Sequence, residues 1–175
     1  RKAIELKPDL VEAHNNLGSI LKELGKLDET EISYRKAITL KPDYAEAHNN
    51  LGVLLQELGR LEEAQASLRQ AIALKPDYAE AHSNLGNTLT DLDRFEEAEA
   101  NYRKAILLKP DYAEAHYNLG IMLQGLGRLE EAELSYRKAI ALKPDYVEAY
   151  NNLGVLLQEL GKLDEAMSNY TKAIV

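Results

Sequence analysis

Proline is the residue that most constrains this chain. Its five copies are Pro8, Pro42, Pro76, Pro110 and Pro144, and each stands 34 residues from the next. Gly18, Gly52, Gly86, Gly120 and Gly154 keep the same interval, as do Gly25, Gly59, Gly127 and Gly161 with one gap. A fixed period of about 20 to 50 residues marks a repeat architecture, in which each unit buries its apolar face against its neighbours. The 175 residues are therefore five units of 34 plus 5, rather than the one globular domain that such a length suggests.

One unit, Ala45 to Tyr78, shows what is being repeated. In its first half the apolar residues Ala47, Leu51, Leu54, Leu55 and Leu58 step by 4, 3, 1 and 3, which is helical spacing. Gly59 follows, where a helix commonly ends in the left-handed region. Leu61, Ala64, Leu68, Ala71, Ile72 and Leu74 form a second helical stripe, and Pro76 stops it because proline cannot continue the ladder. Glu62 and Glu63 open that helix and Lys75 lies at its end, which suits the helix dipole. Asp43 followed by Glu46 reads as a capping-box start for the first helix. The same pair recurs as Asp9 and Glu12, Asp77 and Glu80, Asp111 and Glu114, and Asp145 and Glu148.

At this level of detail the sequence resembles the tetratricopeptide repeat. The matching residues in the central unit are Leu51-Gly52, Leu55, Ala64, Ala71 and Pro76. His48 stands where that family often has Trp, and Leu68 where it often has an aromatic, as Tyr34, Tyr102, Tyr136 and Tyr170 are in the other units. The resemblance spans the whole chain. It implies an all-α fold, a right-handed α-solenoid of stacked antiparallel helix–turn–helix units. The expected boundaries are a repeat tail at 1–10, full repeats at 11–44, 45–78, 79–112 and 113–146, and a shortened fifth at 147–175.

Composition excludes several functions. Without Cys there is no disulfide, no thiolate nucleophile and no cysteine-bound metal. A net charge of −8 disfavours non-specific nucleic-acid binding. The longest apolar runs are about four residues, far short of the roughly 18 that a membrane span needs. The chain opens on Arg1-Lys2-Ala3-Ile4, with neither Met nor a signal peptide, and reads as a piece cut from something longer. A cytoplasmic location is expected. His14, His48, His82 and His116 occupy equivalent places in successive helices, whose axes pack about 8–10 Å apart, so they should fill packing slots rather than share a metal. The carboxylates are periodic and their environments equal, which gives no acid–base pair. No cofactor, metal or catalytic group is expected, and the fragment is read as a non-enzyme.

The face of each first helix opposite its core stripe carries Glu46, Asn49, Val53, Gln56 and Glu57 in the central unit. In the resembling family this face lines a concave groove where extended peptides bind. Two rows stand out on it. Asn16, Asn50, Asn84, Asn118 and Asn152 form an unbroken row, although Asn is several tenths of a kcal/mol worse than Ala in a helix, roughly 0.5. Either these amides bond to a neighbouring helix, or they offer donor and acceptor to a peptide backbone. The row resembles the asparagine ladder in the repeat arm of O-linked N-acetylglucosamine transferases. The second row is Glu12, Glu46, Glu80, Glu114 and Glu148, joined by Glu23, Glu57, Asp91 and Glu159 and opposed only by Lys22. The first five of these are either caps or part of a negative groove, and the two roles are compatible. Much of the net charge would then sit on this face.

Val53, Ile121 and Val155 add apolar contact, and Tyr44, Tyr78, Tyr112 and Tyr146 are placed near the rim. The expected partner is a neutral or basic extended protein segment. Three readings compete: a non-catalytic binding scaffold, the substrate-recruiting arm of a larger glycosyltransferase, and a scaffold that self-associates end to end. In the third, Ala166, Tyr170 and Ile174 would leave apolar surface. Departures from the period mark weak points. Thr30 puts a hydroxyl in a small packed slot and Asp93 replaces the turn glycine, each at a cost of about 1 kcal/mol, and Thr88 puts a hydroxyl in an otherwise apolar row. Amide hydrogen exchange should therefore be fastest in repeat one or repeat three, and fastest exchange in repeat four would contradict the assignment of weak points.

Overall fold

The computed structural model describes residues 10–174. The tail expected over 1–10, with the start at Asp9, thus lies outside the described residues apart from Leu10. Among the described residues all regular structure is helical. The helices are α1 (Val11–Glu23), α2 (Leu27–Leu40), α3 (Ala45–Glu57), α4 (Leu61–Leu74), α5 (Ala79–Asp91), α6 (Phe95–Leu108), α7 (Ala113–Gly125), α8 (Leu129–Leu142), α9 (Val147–Glu159) and α10 (Leu163–Ile174).

The chain divides into two compact units, 1–93 and 94–175. In the first, α1 and α3 pair with α2 and α4 as hairpins, α2 packs on α3, and α4 and α3 both meet α5. In the second, α7–α8 and α9–α10 are hairpins, α6 packs on α7, α8 on α9, and α7 meets α9. The fold class is an α-solenoid of antiparallel helix–turn–helix units.

The turns are built by backbone bonds. After α3, the Gly59 N–H donates to the Gln56 carbonyl and the Arg60 N–H to the Leu55 carbonyl, both at 2.9 Å. This pair closes the helix end and requires a left-handed residue between its two bonds. Gly59 supplies it at φ +72°, and Asp93 adopts the same region at φ 56°.

Among the described residues, the capping boxes expected from Asp43, Asp77, Asp111 and Asp145 do not form. The residue before each first helix is Leu10, Tyr44, Tyr78, Tyr112 or Tyr146, and none of these starts carries a side-chain cap bond. The reason is a turn: the Tyr44 N–H donates to the Lys41 carbonyl at 3.1 Å. That bond places Asp43 inside the turn, one residue too early to cap.

Hairpin packing depends on small residues opposite large ones. A Cβ built on Gly52 would lie 2.5 Å from Leu68 Cγ, and one on Gly120 would lie 2.8 Å from the Tyr136 ring. Gly18 faces Tyr34 and Gly154 faces Tyr170 in the same way. Tyr34 also reaches the next hairpin, where it clusters with Leu51, Leu54, Leu55 and Ala64. Burying each such leucine contributes about 1.5–3 kcal/mol. Thr30 and Thr88 are fully buried, but their hydroxyls donate to the carbonyls of Lys26 (2.9 Å) and Asn84 (3.1 Å). That pairing lowers their penalty and leaves Asp93 as the main departure. Ala166, expected on an open apolar end, is instead buried, because it belongs to the core row of Ala64, Ala98 and Ala132. Ile174 is exposed, along with Leu163 and Met167.

The second helices are joined by a polar seam that periodicity did not reveal. Arg60 reaches back to Glu31 at 2.8 Å and pairs with Glu63 at 2.7 Å, while Arg35 bonds Glu31 at 2.8 Å. In the second unit Arg128 joins Glu99 and Glu131, both at 2.7 Å, and Lys162 reaches Glu133 at 2.8 Å. Burial pushes the Glu31 carboxyl up, but hydrogen bonds from Arg35 and Arg60 outweigh it and hold its pKa below the usual carboxylate value.

Gly120→Ala is expected to destabilise the protein by about 1–3 kcal/mol in urea unfolding through overpacking against Tyr136. The pH dependence has a definite sign. Because the folded pKa of Glu31 is lowered, its contribution is complete above the unfolded value and is lost as pH falls through the folded one. The stability difference between Glu31→Gln and the parent should therefore shrink on acidification. A difference that grew with acid would contradict the assigned role.

Candidate functional site

The first helices carry the candidate face. Their residues stay in phase because 34 residues separate equivalent positions, so side chains of one register line up from hairpin to hairpin. In the first unit this face is formed by α1, α3 and α5, and in the second by α7 and α9.

The asparagines make a diagonal ladder. Asn50 Nδ2 donates to Asn15 Oδ1 at 3.1 Å, and Asn84 Nδ2 donates to Asn49 Oδ1 at 3.0 Å. In the second unit Asn152 Nδ2 donates to the Tyr117 hydroxyl at 3.0 Å. Each bond runs to the residue 35 positions earlier, one full period plus one. Asn50, Asn84, Asn118 and Asn152 are half-buried and Asn16 is exposed. Asn49, read from the sequence as groove-facing, is only 7% exposed, and its side-chain oxygen is bonded by Asn84 of α5. The bond to a neighbouring helix is thus present in the row, and it occupies one of the two amide hydrogens of Asn50, Asn84 and Asn152.

Acidic and phenolic groups gather on the same face. Burial raises the Tyr44 hydroxyl to about 12, helped by its hydrogen bond to Glu46 and by the charges of Glu46 and Glu12. Burial also raises Tyr78, with further contributions from Glu46 and Glu80. Glu12, Glu46, Glu80, Tyr44 and Tyr78 therefore share one electrostatic neighbourhood. In the second unit burial raises Tyr146, and Glu114 and Glu148 add to the effect. Tyr112 is half-buried beside its own loop lysine, Lys109, 4.6 Å from the ring centroid. The other loop lysines sit likewise: Lys75 is 4.5 Å from the Tyr78 ring centroid and Lys143 is 4.5 Å from that of Tyr146. This Lys-over-Tyr contact was missed, although Lys-Pro-Asp-Tyr spells it in the four loops at 41–44, 75–78, 109–112 and 143–146.

Farther along the helices the charge is partly answered. Lys22 pairs with Glu57 at 2.7 Å, Gln56 donates to Asp91 at 2.7 Å, and Gln124 donates to Glu159 at 3.3 Å. Val53 is half-buried, while Ile121 and Val155 are exposed. Glu46 and Glu114 are exposed, and Glu80 is half-buried.

The histidines have a local task. His48 Nε2 lies 2.9 Å from the Pro42 carbonyl oxygen, and His82 Nε2 lies 3.2 Å from that of Pro76. Each ring clips its helix to the preceding loop. Burial lowers the pKa of His116, with the Pro110 carbonyl acting in the opposite direction. Its Nε2 is enclosed without a hydrogen bond of normal geometry. No group of three or more His, Asp or Glu among the described residues is arranged to hold a metal ion. No helix among them is long and apolar enough to cross a membrane.

A family model described as TPR repeat matches residues 18–59, 54–93, 86–127 and 125–161, and one described as tetratricopeptide repeat matches 1–31. Among solved structures, the crystal structure of MamA is 29% identical with a TM-score of 0.77, covering 90% of this chain and 92% of that one. TTC0263, a thermophilic TPR protein of Thermus thermophilus, is 27% identical with a TM-score of 0.81, covering 94% of this chain and 90% of its own. YrrB, described as a TPR protein with an unusual peptide-binding site, shares the fold at 24% identity and a TM-score of 0.70, covering 99% of this chain and 89% of that one. No curated protein matches the sequence.

Replacing Asn84 by Ala strands the buried Asn49 carboxamide oxygen and should cost about 1–3 kcal/mol in denaturant unfolding. Replacing the exposed Asn16 should cost less than half as much. Equal costs would mean that the ladder bond contributes nothing.

Proposed function

The chain belongs to the tetratricopeptide-repeat family, and on that premise we propose that it is a non-catalytic scaffold that binds an extended, neutral or basic protein segment along its first-helix face. The observation that carries this reading is the neighbourhood of Glu12, Glu46 and Glu80 around Tyr44 and Tyr78. Burial is the main cause of both raised phenols and these carboxylates add to it; carboxylates clustered in this way disfavour an acidic tail and attract lysine or arginine. In the first unit the half-buried amides of Asn50 and Asn84 would contact a peptide backbone, and in the second unit those of Asn118 and Asn152 would do so beside Glu114 and Ile121. Val53 adds apolar contact beside Asn49, which supports Asn84 from beneath. Tyr112 takes the same rim position as Tyr78. YrrB's peptide-binding site lends the reading support by analogy of fold. In this reading the scaffold works without a cofactor and in the cytoplasm.

The test uses a fluorescent Gly-Ser-rich peptide carrying four lysines and its counterpart carrying four glutamates. The lysine peptide should bind, with affinity falling as salt rises from about 50 to about 300 mM, and the glutamate peptide should not. Changing Asn50, Asn84 and Asn118 together to Ala, at a temperature where helicity is intact, should weaken the lysine peptide several-fold. Unchanged affinity would make the row purely structural, and preference for the glutamate peptide would overturn the proposal.

A further inference from the structure

One position breaks the repeat in a way the ladder does not require. The residues 35 positions before the asparagine donors include Asn15, Asn49 and Tyr117, and Ser83 and Asn151 occupy the same register. Tyr117 is the aromatic member of an otherwise small polar row. Its hydroxyl accepts from Asn152, as Asn15 and Asn49 accept from their own donors, so a carboxamide would serve that bond equally well. The ring adds something else. Its centroid lies 4.8 Å from Tyr146 and 5.9 Å from Tyr136, which fixes the ring plane.

A depression of about 680 Å³ opens beside this ring. Tyr117, Val147, Glu148, Asn151, Asn152 and Tyr170 are among the residues that line it. The volume lies within the range of ordinary ligand pockets, about 300–1,000 Å³. Glu148 is exposed and makes no ion pair among the described residues. Its charge reaches the phenol, since Tyr117 is raised first by burial and then by Glu148. Val147 is half exposed and offers branched methyl groups to an aliphatic stem. The pocket thus joins a rigid aromatic face, an unpaired carboxylate, amide oxygens and a strip of apolar surface.

We propose that this depression is an arginine subsite, in which a guanidinium stacks on Tyr117 and pairs with Glu148 while its methylene stem lies on Val147. A guanidinium fits better than an ammonium because it is planar, is less strongly hydrated and presents a fork of N–H donors to a carboxylate and an amide oxygen together. A purely apolar side chain would leave the Glu148 carboxylate unanswered. The inference rests on the proposed basic partner and narrows it to a segment that presents arginine to the second unit.

The test uses small probes that need no groove: N-acetyl-arginine amide, N-acetyl-lysine amide and N-acetyl-leucine amide, followed by NMR shifts of the Asn152 side-chain amide and the Tyr117 ring. The arginine probe should bind about fivefold more tightly than the lysine probe, and the leucine probe weakest of all. Tyr117→Asn, which installs a residue already used in this register, and Glu148→Gln, at an exposed position, should each lower arginine-probe affinity about fivefold. Equal response to the leucine probe, or full affinity in both variants, would overturn the subsite. The lysine peptide test reports separately on the wider groove. A peptide that binds with no arginine-probe response discards the subsite alone, and an arginine-probe response without peptide binding discards the groove alone.

Discussion

Everything in this molecule depends on how closely two helices of one hairpin approach. The approach is set where Gly18, Gly52, Gly120 and Gly154 face Tyr34, Leu68, Tyr136 and Tyr170. A large side chain enters the space that a missing Cβ leaves, and the first helix is thereby fixed against the second. Only then do Ala64, Ala98 and Ala132 become fully buried, and only then does Tyr34 extend into the next hairpin. The face that carries the asparagines is a by-product of this arrangement. It is what remains exposed on each first helix once its glycine side is committed.

Much of this was legible in the sequence. Proline and glycine intervals mark the unit, and the stripes at helical spacing mark its two helices. The helix starts were misread because a local rule, Asp followed by Glu, competes with another local rule, a turn over Pro-Asp. The turn prevails: Tyr44 bonds back to Lys41, and the helix opens after the tyrosine. Asn49 was misplaced for a different reason. A helical wheel shows which residues of one helix share a side but not what the following hairpin covers. The diagonal from Asn84 to Asn49 could have been found by comparing positions 35 apart rather than 34.

The charge distribution also gained detail that counting could not give. Carboxylates of the second helices, such as Glu31, Glu99 and Glu133, are held by arginines or lysines from neighbouring hairpins. Those of the first helices lie beside tyrosines, with Glu57 paired to Lys22 and Glu114 3.9 Å from Lys143. Two sets of similar residues therefore act in opposite ways. One set is paired closely across hairpins, and the other is answered only in part.

The first unit is consequently stitched along two lines that respond to different conditions. Amide bonds from Asn50 to Asn15 and from Asn84 to Asn49 tie the first helices together, and ion pairs from Arg60 to Glu31 tie the second helices. Neutral amides are indifferent to ionic strength and to acid, whereas ion pairs weaken with salt and yield once acid protonates a carboxyl such as Glu31, below its ordinary range. Loosening only the ionic line would let neighbouring hairpins tilt about the amide line rather than part from each other. The stack then behaves as a spring with one stiff edge and one adjustable edge, its compliance set by the solvent.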